Sequence, residues 1–114
     1  MKTINALTAS VMPNMHKIKA SKLYDSEHAQ VMHITLEPGQ RLVKHITPAD
    51  VFFYVLQGTG IVEIGEEKET VQADTLIESP KGIPHCWYNE SDEILRVMVV
   101  KVPRPTEKTI IINE

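Results

Sequence analysis

Two histidines far apart in the chain, His45 and His85, are the residues most able to do chemistry. Each stands within two residues of β-branched or aromatic residues, which are typical of strands. Because residues two apart on a strand face the same side, Thr47 is expected beside His45. If His85 meets them from another strand, two imidazoles and one hydroxyl share a pocket. Imidazole suits Zn, Cu, Fe and Ni, and Mn with carboxylate help, so the pair is a candidate divalent-metal site.

A candidate carboxylate close to His45 in sequence belongs to Asp50, one residue before Val51. It would be a third ligand if an irregularity after Pro48 turned it inward, whereas regular strand alternation favours an outward side chain. Two imidazoles alone leave most coordination positions to water, so the sequence predicts a weakly held metal (Zn, Ni, Fe, Mn or Cu). By strand parity, the further lining residues of the pocket are predicted to be Val51, Phe53, Val55 and Trp87.

The other histidines and the single cysteine are expected to be structural. His16, His28 and His33 stand outside any recognisable group of ligands. Cys86 follows His85 directly, and neighbouring strand residues face opposite ways, so these two side chains should diverge. A buried thiol is therefore the expected state of Cys86.

The elements that position these residues are predicted to be short strands. Turn-forming residues recur at short intervals and leave little room for a helix. The β-prone runs between them are 31–36, 51–56, 60–64, 75–77, 86–88 and 94–102. The runs at 51–56 and 95–102 are largely apolar, which predicts central strands covered on both faces. Near the N-terminus, 7–15 and 18–23 fit either a short helix or an irregular strand.

The bulk properties of the chain restrict its partners. The 114 residues suit one domain, and 42% hydrophobic with 24% charged residues is ordinary for a globular protein. A net charge of −3 with scattered Lys and Arg disfavours nucleic acid. A single cysteine allows no intrachain disulfide. Because the sequence also contains no apolar run long enough to span a membrane, a cytoplasmic protein is expected. A small-molecule ligand or a protein partner remains by elimination.

The segment around His85 resembles the second motif of the cupin family, which reads Pro, one residue, Gly, two residues, His, three residues, Asn. The four matching residues are Pro80, Gly82, His85 and Asn89. The first motif of that family is Gly, five residues, His-x-His, three or four residues, Glu, six residues, Gly. This chain matches it at Gly39, His45 and Gly58.

The first motif is degenerate at two of its metal ligands. Thr47 stands where the family has its second His, and Val51 stands where the family has its Glu. The resemblance covers roughly residues 38–102 and implies a small single-domain cupin of the type 2 kind. Its fold would be all-β, a double-stranded β-helix or jelly-roll barrel. Strand packing and turns close such a barrel, and the metal ligands are not needed for closure. Their loss therefore concerns function and not fold.

The resemblance also implies boundaries and an oligomeric state. Residues 1–114 would form a single cupin-like domain, with N-terminal arm or strands at 1–30, the barrel at 31–102 and a tail strand at 103–114. The β-prone stretch 109–112 would be an aggregation-prone edge unless something covers it. Terminal strands of this kind and the habit of the family predict a homodimer.

Three functions are open at this point. The first is a small-molecule-binding barrel with a weak divalent-metal site at His45 and His85. The second is a metal-dependent enzyme, a dioxygenase or isomerase, with Asp50 as an added ligand. The third is an epimerase-like enzyme without metal, in which a neutral buried His is the general base and Tyr54 or Tyr88 is the acid.

Overall fold

Ten strands account for the regular secondary structure of residues 1–112, the part of the chain that the computed structural model describes. No residue in this range is helical, so no helix there could cross a membrane. The strands are β1 (Lys19–Asp25), β2 (Gln30–Leu36), β3 (Arg41–Ile46), β4 (Val51–Gln57), β5 (Thr59–Ile64), β6 (Glu67–Gln72), β7 (Leu76–Ser79), β8 (His85–Tyr88), β9 (Leu95–Lys101) and β10 (Ile110–Ile111).

The strands form two five-stranded antiparallel sheets that face each other. One sheet has the order β1-β2-β9-β4-β7, and the other has the order β10-β3-β8-β5-β6. From β2 onward the chain repeatedly crosses from one sheet to the other, which is the pattern of a double-stranded β-helix, or jelly roll. The all-β fold class predicted from the sequence is confirmed.

Strand parity decides which side chains enter the core between the sheets. In β4, the side chains of Val51, Phe53 and Val55 are buried. Each of these residues pairs with a residue of β9 whose side chain faces the same side of the sheet. The core is completed from both sheets by residues that include Leu36, Leu42, Val62, Trp87, Leu95 and Val97. Burying a side chain of this size contributes about 1.5–3 kcal/mol, so the alternation is a strong determinant of register.

β4 and β9 were predicted to be covered on both faces, but their outer faces are only partly covered. Phe52 and Tyr54 on β4, and Met98 on β9, are half-buried. Among residues 1–112, the outer face of this sheet is therefore only partly covered, with Val100 buried and its neighbours half-buried. An apolar sequence run therefore marks a central strand correctly while overstating the burial of its outer face.

The two ends of the chain add strands to the sheets. Residues 19–25 form β1, which extends the first sheet beyond β2, whereas residues 7–15 are turn and coil and form neither a helix nor a strand. At the other end Ile110 and Ile111 pair with Ile46 and His45 of β3. Of the predicted tail strand at 103–114, residues 113 and 114 lie outside the described residues.

Glycines at the β4–β5 turn allow close approach to the β9 segment. Gly58 has a φ of 89°, and a side chain there would collide with the carbonyl oxygen of Ile94. A Cβ on Gly60 would lie 2.6 Å from Leu95 and 3.0 Å from Trp87. Glycine is therefore favoured at both positions because a side chain lacks space there. At Gly58 the positive φ is a second reason.

Candidate functional site

His45 and His85 lie directly opposite each other on neighbouring strands. The register of β3 and β8 pairs the two residues, and both side chains are buried. Their ring centroids are 4.4 Å apart and their Nε2 atoms are 3.0 Å apart. Nitrogens this close share a proton in a hydrogen bond unless both lone pairs face a third group.

An irregularity in β3 frees the backbone groups that orient these rings. The pairing of β3 with β8 shifts between Leu42 and His45. At this shift the Val43 carbonyl accepts a hydrogen bond from His45 Nδ1 at 2.7 Å, and the Val43 N–H donates to His16 Nδ1 at 3.0 Å. Because a carbonyl only accepts, Nδ1 carries the proton of a neutral His45 and leaves Nε2 as an acceptor.

The opposite ring is held by two hydroxyl groups. His85 Nδ1 lies 2.7 Å from the hydroxyl of Ser79, and Nε2 lies 3.3 Å from that of Thr47. Since His45 Nε2 is an acceptor, a neutral His85 carries its proton on Nε2 and donates it across the pair. The Ser79 hydroxyl then donates to Nδ1, so both rings have defined tautomers.

Burial keeps these imidazoles neutral. Burial, followed by the charge of His45, lowers the pKa of His85 to about 3. The same two causes lower the pKa of His16 to about 4, and burial also lowers the pKa of His45. At pH 7 the three rings therefore carry no charge.

His16 belongs to this site, although its sequence surroundings indicate only a structural role. Its ring centroid lies 5.1 Å from that of His45. Asn14 fixes the loop that brings it there: the side-chain amide donates to the carbonyls of Met12 and Ile18, and its oxygen accepts from the N–H of His16. The Pro13-Asn14 turn signal was the available clue, but its distance from the β3 strand in sequence concealed the contact.

Lys101 is a second residue that sequence reasoning missed. It ends β9 on the inward parity of Val99 and lies opposite Val51 of β4. Its positive charge contributes to lowering the pKa of each of the three histidines. Burial in turn lowers the pKa of the Lys101 ammonium.

These side chains border a cavity of about 120 Å³ between the sheets. Its polar lining consists of Asn14, His16, His45, Thr47, His85 and Lys101. Most of the other lining is aliphatic. Among residues 1–112, no Asp or Glu lines it.

The structure places only some of the predicted pocket residues at the cavity. Thr47 and Phe53 line it, and the Phe53 ring lies 5.2 Å from the His85 ring. Val51, Val55 and Trp87 are buried in the surrounding core and do not line it. They share the inward parity of the lining residues, and Val51 lies directly opposite Lys101.

The residues proposed as carboxylate ligand or acid catalyst lie elsewhere. Asp50 is exposed, and its carboxylate accepts a hydrogen bond from the Lys81 N–H at 2.8 Å. The Tyr54 hydroxyl donates to Asp74, and the Tyr88 hydroxyl donates to Glu63. Both tyrosines have the outward parity of their strands, so neither hydroxyl faces the imidazole pair.

The donor set does not fit the four-ligand metal centre that the cupin resemblance implies. Within residues 1–112, no group of three or more His, Cys, Asp or Glu side chains is placed to hold a metal ion. At the position of the missing Glu stands Val51, and the side chain across the strand pair is the ammonium of Lys101. An ammonium lining the same cavity opposes a second cation by like-charge repulsion.

Comparisons with known proteins agree with this fold. Residues 32–101 match the family model described as the cupin domain. The chain is similar to TT1209 from Thermus thermophilus, at 30% identity and a TM-score of 0.78, over 91% of this chain and 100% of that one. It is also similar to an uncharacterised protein of Methanocaldococcus jannaschii, at 27% identity over 85 residues, covering 74% of this chain and 73% of that protein.

A third likeness concerns the fold alone. The polyketide cyclase RemF from Streptomyces resistomycificus is 17% identical, with a TM-score of 0.85 over 100% of this chain and 87% of that one. At that identity the match supports the barrel fold of this chain and says nothing about its activity. The family match covers well over half of the chain and includes both strands that carry the imidazole pair. This chain therefore belongs to the cupin family.

Proposed function

We propose that this protein binds a small organic molecule in the cavity beside His45 and His85. The observation that carries the proposal is that several polar side chains from separate parts of the chain converge on one largely apolar cavity. Concave, mostly apolar pockets with a few convergent polar groups are the usual form of small-molecule sites. A buried polar cluster of this kind also needs complete hydrogen bonding, which a ligand can provide.

The size of the cavity limits the ligand. Its volume of about 120 Å³ is smaller than the roughly 300–1,000 Å³ of pockets that enclose drug-sized molecules. A molecule of a few heavy atoms, or one end of a longer molecule, matches this space. The aliphatic walls suit a short hydrocarbon part, and the polar side chains suit one polar head.

A metal-dependent dioxygenase or isomerase is a less well supported function. Its ligand set needs a carboxylate beside His45 and His85, and Asp50 is turned to the surface, where it accepts from Lys81. Two imidazoles next to the Lys101 ammonium would hold a divalent ion weakly at most. Weak divalent-metal binding at the two histidines stays a prediction.

An epimerase-like proton transfer lacks both a free base and its proposed acid. His45 and His85 are neutral at pH 7, but His45 Nε2 accepts the proton of His85 and His85 Nδ1 accepts that of Ser79. The hydroxyls of Tyr54 and Tyr88 are bound to Asp74 and Glu63 on the outer faces of the sheets. Binding without chemistry is therefore the simpler proposal.

The binding proposal is tested with four three-carbon probes: propionate, propionamide, propanol and propylamine. Each is titrated into ¹⁵N-labelled protein, and amide chemical shifts are followed. We expect at least one probe to bind saturably, with shifts concentrated around His16, His45 and His85. Saturable binding to none of the four would contradict the proposal.

A cavity-filling variant shows whether the binding is at this site. Ala20 is buried and lines the cavity, so Ala20→Leu should fill part of it and abolish binding of every probe. Ala29→Leu is the matched control because Ala29 lies in the turn before β2, away from the cavity lining. Unchanged binding in Ala20→Leu would place the binding site elsewhere.

A further inference from the structure

We propose that the ligand of this cavity is a small carboxylate anion, held through the ammonium of Lys101. This inference rests on the proposed binding function and adds the charge of the ligand. Its starting point is that Lys101 reaches the cavity from β9, and that no acidic side chain of the described residues lines this cavity. Family motifs do not include this position, which lies at the end of the matched segment.

The ammonium of Lys101 has no counter-charge among residues 1–112. Every ion pair described in that range involves other cations, namely Lys22, His28, Lys44 and Arg104. The other ionisable groups that line the cavity are three imidazoles, which are bases as well. A partly buried cation without a partner is costly, and an anion in the cavity would offset that cost.

The tautomers of the histidines leave donors and no free ring acceptor toward the cavity. His16 Nδ1 accepts from Val43, so a neutral His16 carries its proton on Nε2 and can donate it. His45 Nε2 is already occupied by the proton of His85. Thr47 has a hydroxyl hydrogen to donate in addition. Together with Lys101 these groups form a set of donors, which suits the acceptor-only oxygens of a carboxylate.

The rest of the lining selects against larger or fully hydrated anions. Met32, Ile34, Leu42 and Val99 are among the apolar side chains around the cavity. Phosphate and sulfate have polar oxygens on every side, whereas a short carboxylate presents its oxygens at one end only. A monocarboxylate with a short aliphatic or carbonyl-bearing tail therefore fits both ends of the site.

The test compares propionate with its neutral isostere propionamide and with inorganic phosphate, in wild type and Lys101→Met. Affinities are measured by NMR titration at pH 7 and constant ionic strength. Methionine keeps an unbranched side chain of similar length while removing the charge. Lys81→Met is the matched control because Lys81 is exposed and outside the cavity lining.

We expect propionate to bind at least about tenfold more tightly than propionamide or phosphate, and to lose about tenfold in affinity in Lys101→Met, as for a lost charged hydrogen bond. Lys81→Met should bind propionate as wild type does. If propionamide binds as well as propionate, or if Lys101→Met binds propionate normally, the carboxylate inference is overturned while the binding function stands. If neither these probes nor propanol and propylamine bind, both proposals fail.

Discussion

At the scale of single residues, the site is a network of neutral bases arranged by their hydrogen-bond partners. The spacing of the two family motifs was sufficient to predict that His45 and His85 share a pocket. It could not reveal Lys101 or His16, because neither belongs to a motif and both reach the site through tertiary contacts. Parity alone could have marked Lys101 as inward, since it continues the alternation of Val97 and Val99.

The neutrality of His85 predicts an acid-sensitive fold. Its pKa is about 3 in the folded protein, against an ordinary value of 6.5, so the unfolded state binds the extra proton. The contribution of neutral His85 to the free energy of unfolding is therefore fully present above about pH 6.5. It is lost progressively as the pH drops toward 3. The slope in that window approaches about 1.4 kcal/mol per pH unit for one group. Urea unfolding at several pH values across the upper half of this window measures it.

A variant that cannot titrate isolates this contribution. His85→Gln should give a shallower loss of unfolding free energy than wild type as the pH falls from about 6 to about 4, whatever its stability at neutral pH. His28→Gln is the control, because His28 is exposed and outside the cavity lining. Parallel pH curves for wild type and His85→Gln would show that His85 is not held neutral by the fold.

The donor set predicts weak metal binding. Untagged protein dialysed without chelator should retain clearly less than one equivalent of Zn, Ni, Fe, Mn or Cu by mass spectrometry of the metals. Added Zn²⁺ should bind reversibly, and His45→Ala or His85→Ala should reduce that binding, whereas His33→Ala should not. Stoichiometric metal that survives dialysis and depends on His45 and His85 would contradict this prediction.

At the scale of strands and turns, alternation and turn residues predicted most of the barrel. The β-prone runs correspond to β2, β4, β5, β7, β8 and β9 within a few residues. The N-terminal loop was ambiguous because the side chain of Asn14 holds it, with no periodic pattern. The irregularity after Leu42, which orients His45 and His16, has no sequence signal of its own.

The turn between β4 and β5 allows a matched test of glycine roles. Gly58 and Gly39 have nearly the same φ, 89° and 88°, but only Gly58 faces another backbone segment, at Ile94. Gly39→Ala should therefore cost only backbone strain, about 1–2 kcal/mol. Gly58→Ala should cost at least about 2 kcal/mol more in urea unfolding, because the clash adds to the strain. Equal losses would show that the Ile94 contact is not constraining.

At the scale of the whole molecule, the outward face of the first sheet carries more apolar side chains than is usual for a surface in contact with water. The strand registers place outward side chains of the first sheet in two adjacent rows. One row contains Leu76, Tyr54 and Met98, and the other contains Phe52, Val100 and Val31. Contiguous apolar faces of this kind are typical of subunit interfaces. The resemblance to cupins predicts a homodimer on different grounds.

We predict a homodimer formed through this face. Light scattering should give twice the 12.9 kDa of one chain. Met98→Glu places a charge in the middle of the face and should shift the protein to monomer. Ile61→Glu introduces the same charge at an outward position of the other sheet, at β5, and should leave the dimer intact. A wild-type monomer at all concentrations would rule out the homodimer.

We propose that this barrel holds a small molecule directly by its side chains, with no metal ion between ligand and protein. A high-resolution crystal structure of untagged protein grown with propionate, with data on both sides of the metal absorption edges, tests it most directly. We expect propionate in the cavity beside Lys101, with Nε2 of His45 and Nε2 of His85 still in hydrogen-bond contact. An anomalous peak coordinated by both nitrogens, with no organic ligand in the cavity, would contradict it.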